Sequence, residues 1–125
     1  MPLEGKPVKL THFGKTPKNR TKELPAVGKL KLMFTPKDPD ETVDYQISWK
    51  RKFRSDDKII SSDWVLDPSD TSGVQIKFSR FTNNSTSIWL SNGVHKKTVK
   101  LINTIETDGG RVFEQGVLVP VESTF

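Results

Sequence analysis

The 125-residue sequence contains no cysteine, which excludes a disulfide framework, a thiolate metal site and a thiol nucleophile. It is also poor in apolar residues, at 33% of the chain, so the expected core is modest in thickness. No apolar run exceeds a few residues, far short of what a membrane-spanning helix needs. The opening residues, MPLEGKPVKLTHFGK, lack the apolar centre of a secretory signal, so the expectation is a protein made in a cytoplasm, without a membrane partner. Paired histidines are missing as well. His12 and His95 stand alone, and neither His-x-x-x-His nor a hydrolase triad can be assembled around them.

Other chemistry fails for similar reasons. Acids gather in KDPDETVD (37–44), SDDK (55–58) and DPSD (67–70), but none forms the spaced carboxylate loop of a calcium site. Asp beside Pro or Ser is what turns favour, because the carboxylate caps nearby backbone donors. The glycines form no phosphate-binding loop, and the Ser61-Ser62 pair lacks the glycine-flanked elbow of a serine hydrolase. The sequence therefore predicts no enzyme, no metal site and no cofactor.

What is present is an uneven charge. Residues 1–37 hold nine Lys or Arg against Glu4 and Glu23, a net +7, whereas residues 38–125 hold eleven against thirteen acids, a net −2. Six of the eight prolines also lie in the first 39 residues. Proline removes a backbone donor and biases its predecessor towards extended geometry. Residues 1–27 are thus expected to form an extended basic arm that orders on a partner, with the folded domain occupying 28–125. In that arm Lys6, Lys9, Lys15, Lys18, Arg20 and Lys22 are the candidates to meet acidic surfaces, and Leu10, Phe13 and Leu24 the candidates to anchor in apolar clefts.

Beyond Gly28 the period of the apolar residues is two. VDYQISWKRKF (43–53) sets Val43, Tyr45, Ile47, Trp49 and Phe53 against polar even positions, the pattern of a strand with one wet face. KLKLMF (29–34), VQIKFSR (74–80) and TVKLINTIE (98–106) alternate likewise, with Val74, Ile76 and Phe78 assigned to one face, while IISSDWVL (59–66) reads as an extended, partly buried run and TSIWLS (86–91) and RVFEQGVLVPV (111–121) as further strands. Turn formers separate them, including Asp108-Gly109-Gly110 as a hairpin loop. Short strands at this spacing predict an all-β fold, an immunoglobulin-like antiparallel β-sandwich, with a compact barrel as the alternative.

Among the tryptophans, Trp49 and Trp64 are expected in the core. Trp89 points opposite to Ile88 and Leu90 and is the candidate to touch a partner. In WKRKFR (49–54), Lys50, Lys52 and Arg54 would share a strand face. Long cations there chiefly solubilise the sheet, and no nucleic-acid-binding motif accompanies them.

Four elements in a fixed order carry a resemblance. They are Lys37-Asp38-Pro39-Asp40 with Asp44 and Tyr45; Ser61, Ser62 and Trp64; Trp89, Leu90, Ser91 and Gly93; and Gly109, Gly110, Arg111 and Glu114. This order resembles a family of small virion proteins of tailed bacteriophages, the fiber–tail adaptor proteins, over about residues 35–121. The resemblance implies an immunoglobulin-like sandwich without catalysis. It would link the tail or portal region to tail fibers through contacts with other virion proteins, with copies of itself in a ring as a further partner. The alternatives are a capsid decoration protein of the same fold and a nucleic-acid-binding module working through the basic arm.

Overall fold

The computed structural model describes residues 6–7, 15–28, 31–53 and 56–124. Among these residues, nine strands make two stacked sheets. They are β1 (Lys6–Pro7), β2 (Thr21–Glu23), β3 (Leu32–Met33), β4 (Val43–Ser48), β5 (Ile59–Leu66), β6 (Val74–Phe81), β7 (Ser85–Asn92), β8 (Thr98–Thr107) and β9 (Val112–Pro120). One sheet runs β1-β6-β7-β4-β2 and the other β3-β9-β8-β5. The long ladders, β4 with β7, β6 with β7, β5 with β8 and β8 with β9, are antiparallel, as the sequence predicts for a sandwich. The short strands β1, β2 and β3 add parallel pairings at three edges, which makes both sheets mixed.

The inward rows of both sheets supply the core. Tyr45, Ile47 and Trp49 follow β4, Ile88 and Leu90 come from β7, Val99, Leu101 and Ile105 from β8, and Val117 and Val119 from β9. Removing such a side chain from water stabilises the fold by about 1.5–3 kcal/mol each. Phe34 packs on Tyr45 with ring centroids 5.0 Å apart. Trp64 joins the same core, as expected. The β8–β9 hairpin turns where the sequence places it, with Gly110 at φ 80°, a conformation open to glycine at little cost.

Four expectations change. The strand read over 43–53 stops at Ser48, because Trp49 takes φ −97°, ψ 0° and starts a 3-10 turn over Lys50–Lys52. Lys50 and Lys52 therefore do not share a strand face, and Arg54 lies outside the described residues. The strand in KLKLMF shortens to Leu32–Met33. Within β6 the register against β7 shifts between Ile76 and Phe78, so Ile76 sits opposite Leu90 but Phe78 opposite Trp89. That bulge turns Phe78 to the outer face, away from Val74 and Ile76; one extra residue flips every later side chain. Finally, the even face of β4 is not wet throughout, since Asp44 is buried.

Candidate docking surfaces

The outer face of the β6-β7-β4 sheet is reached first by the chain's own leading residues. Pro17 precedes a 3-10 turn over Lys18–Arg20, and β2 follows, in register with Gln46, Ile47 and Ser48 of β4. Asp44 anchors this run. Its carboxylate accepts hydrogen bonds from the Thr16 hydroxyl and from Arg20 Nη2 at 3.2 Å, while Arg20 Nε donates to the Asp44 carbonyl at 2.8 Å. A carboxylate taken from water needs such charge-assisted donors.

Among the candidate partner residues, Lys15, Lys18 and Lys22 are exposed. Arg20 is half-buried and engaged with Asp44. Leu24, expected to anchor in a partner's cleft, is instead fully buried in the chain's own core, because β2 lays it against the end of β4 where its N–H donates to the Ser48 carbonyl at 3.0 Å. The Lys6 backbone pairs with β6 opposite Phe78. Lys9, Leu10 and Phe13 lie outside the described residues, as does His12. Trp89 is half-buried on the outer face, stacked on Phe78 at 4.8 Å between centroids, with the Arg80 guanidinium 5.2 Å from its ring centre. The bulge that moved Phe78 outward builds this pair.

Asp38, Asp67 and Asp70 act as turn caps, whereas Asp57 pairs with Arg111 at 2.9 Å. Asp38 accepts from the Asp40 and Thr124 N–H groups, and the first of these bonds holds its carboxyl below the usual carboxylate range. Asp67 accepts from both the Ser69 hydroxyl and N–H, which depresses it similarly. Asp70 accepts from Ser72 and from the Lys100 N–H. No group of acids or histidines among the described residues is placed to hold a metal ion. His95 is exposed and accepts from the Ser123 N–H at 2.8 Å.

Lys37, the first residue of the KDPD motif, was not singled out by charge, yet its side chain is fully buried. Its Nζ donates to the carbonyls of Asp38 at 2.7 Å and Asn92 at 2.8 Å. Burial pulls its pKa down, against the opposing pull of Asp38 and Glu41. The motif therefore ties the start of the fold to the end of β7 and, through Asp38, to Thr124.

Among the described residues, the outer face of the other sheet carries none of the segment that Arg20 and β2 bring to the first. Met33, Val65 and Val112 are exposed on it, and Ile102 and Leu118 are half-buried. Gly116 lies between them, opposite Ile102 in register, and a side-chain carbon there would touch nothing within 4 Å. The result is a shallow hollow of about 600 Å³ bordered by Lys31, Lys100, Ile102, Glu114 and Leu118. Nothing in the sequence pattern marked this hollow, because the register that brings Gly116 beside Ile102 is a tertiary fact.

Residues 37–120 match the family described as Podophage GP4 fiber-tail adaptor protein gp77. The chain belongs to this family. The match spans all four motif elements and the strands β4 to β9, and it begins at the buried Lys37. No curated protein matches the chain. Membership makes the chain a structural protein of the phage virion, which accords with its sandwich fold.

Proposed function

We propose that the chain connects the tail or portal region of the virion to tail fibers, by contact and without catalysis. The observation that carries this reading is the family match over residues 37–120, the stretch that holds the sandwich core. The sandwich acts as the rigid body. The basic leading residues run over one sheet, held by Asp44 and by the pairing of Lys6–Pro7 with β6, and their cationic side chains are the groups assigned to acidic surfaces on neighbouring subunits. Lys6, Lys9, Leu10, Phe13 and Lys15 are the contacts proposed there, with exposed Lys18 and Lys22 beside the body. Many symmetric copies, each holding weakly, bind firmly together.

The test is removal of residues 1–14, which spares the Asp44 clamp and the buried Leu24. The shortened chain loses the two-residue β1 but keeps the core, so it should still melt cooperatively as a folded sandwich and fail to enter particles. Normal incorporation of that truncation would overturn the role given to the leading segment.

A further inference from the structure

Three of the four sheet edges carry short strands drawn from the first third of the chain. β1 lies on β6, β2 on β4 and β3 on β9. The fourth edge is β5. It is eight residues long, ends its sheet and pairs only with β8; among the described residues no strand lies along its other side.

The ladder fixes which groups that edge presents. The Asp67 N–H donates to the Lys100 carbonyl at 2.9 Å, and in an antiparallel pair the side to which backbone groups point alternates residue by residue. Beyond the register shift between Ile59 and Ser61 the ladder is regular, so Ser61, Asp63 and Val65 bond towards β8. The N–H and C=O groups of Ser62, Trp64 and Leu66 then point outward from the sheet edge. A row of unpaired donors and acceptors of this length is a template for another strand.

Side-chain chemistry narrows what that strand is. Asp63 is exposed at the middle of β5, with Glu106 opposite Ser61 and Glu114 opposite Thr104 on the same outer face. A second β5 centred on Asp63 would set two carboxylates directly opposite, which is unfavourable, whereas a cation there is favourable. Val65, exposed two residues on, offers an apolar neighbour for the same incoming face.

We propose that the open edge of β5 receives an extended strand from a neighbouring virion protein, one that carries lysine or arginine opposite Asp63. The proposal rests on the connector reading above and gives that reading a second contact, on the sheet opposite to the one that carries Arg20 and β2. Strand addition supplies affinity through the main chain and specificity through alternate side chains.

The test uses the full chain and two capped peptides matched in length to β5, one alternating lysine with threonine and one alternating glutamate with threonine. Amide exchange and amide chemical shifts are followed by NMR. The lysine peptide should protect the amides of Ser62, Trp64 and Leu66 and leave the β1, β2 and β3 edges unchanged; the glutamate peptide should do neither. D63K should weaken the lysine peptide about five-fold, the size expected for reversing one cross-strand charge pair. E122K, on the exposed C-terminal segment, should leave it unchanged. Protection of those three amides before any peptide is added, or equal binding of both peptides, would overturn the proposal. In particles, normal incorporation of D63K together with exclusion of the 1–14 truncation would remove the β5 contact and leave the connector reading standing.

Discussion

The Thr86 hydroxyl of one sheet donates to the Asn103 side-chain carbonyl of the other at 2.7 Å, and both residues are fully buried. Trp49 Nε1 donates to the same Thr86 oxygen at 3.0 Å. Asn103 Nδ2 in turn donates to Ser62 Oγ and to the Asp63 carbonyl. A single polar chain thus crosses an apolar core and fixes how the two sheets sit, ending on the strand whose edge is open.

Breaking that chain on one side should cost more than removing it. N103A strands the Thr86 hydroxyl and the Ser62 side chain and is expected to destabilise by about 2–3 kcal/mol. The pair T86V/N103L should lose less than the two single changes summed, since the Thr86–Asn103 bond then goes from both sides at once and only Trp49 Nε1 loses an acceptor through Thr86. Urea titration of the parent chain, T86V, N103L and the double variant measures this coupling.

D44A should release the leading residues without unfolding the sandwich. Thr16 and Arg20 lose their shared acceptor, a loss of about 1.5–3 kcal/mol for hydrogen bonds to a charged group, reduced by the partial exposure of Arg20. Trypsin should then cut at Lys18, Arg20 and Lys22 many times faster, while cleavage elsewhere holds its rate.

Gly93 takes φ 121° beside Val74 and Val121, whose methyl carbons would lie 3.0 and 3.1 Å from an added side-chain carbon. G93A is therefore both strained in the backbone and crowded, and should destabilise by about 2–3 kcal/mol. Gly28, at φ 83° with open space around it, bears only the backbone penalty. G28A should cost about 1 kcal/mol, and thermal melts of the two variants separate the contributions.

Stability should fall at both ends of the pH scale for different reasons. Asp38 and Asp67 have depressed pKa values, so the stability they bring is present above about pH 3.8 and is lost as pH drops through their folded values. Burial pushes the Tyr45 phenol up to about 12 from 10.0, so its contribution is full below pH 10 and is lost between 10 and 12. Lys37 works the other way. Its lowered pKa means the buried charge costs stability at neutral pH, and that cost eases as pH rises towards 10.5. Y45F should flatten the decline above pH 10 in denaturant titrations.

The elements that were legible in the sequence are those in which local pattern and tertiary demand agree. β5 runs over the residues read as IISSDWVL, and the alternation of β8 and the Asp108-Gly109-Gly110 turn also stand where the period of two and the turn chemistry put them. The misreadings share one cause. Trp49 kept its apolar parity while its backbone left the strand, and the bulge before Phe78 reversed a face that alternation alone assigned inward. Lys37 and Asp44 look like surface charges until Asn92 and Arg20, distant in sequence, arrive as partners. Leu24 looks like part of a tail until β2 pairs with β4. In each case the deciding contact is long-range, and no local propensity encodes it.

The most direct measurement is a reconstruction of the intact virion at a resolution that traces strands. The account predicts copies of this sandwich at the tail vertex between the portal-proximal tail and the fibers, with the lysines of the leading segment against a neighbouring subunit. Finding the sandwich instead on the head lattice, or finding no copy in the particle, would contradict it.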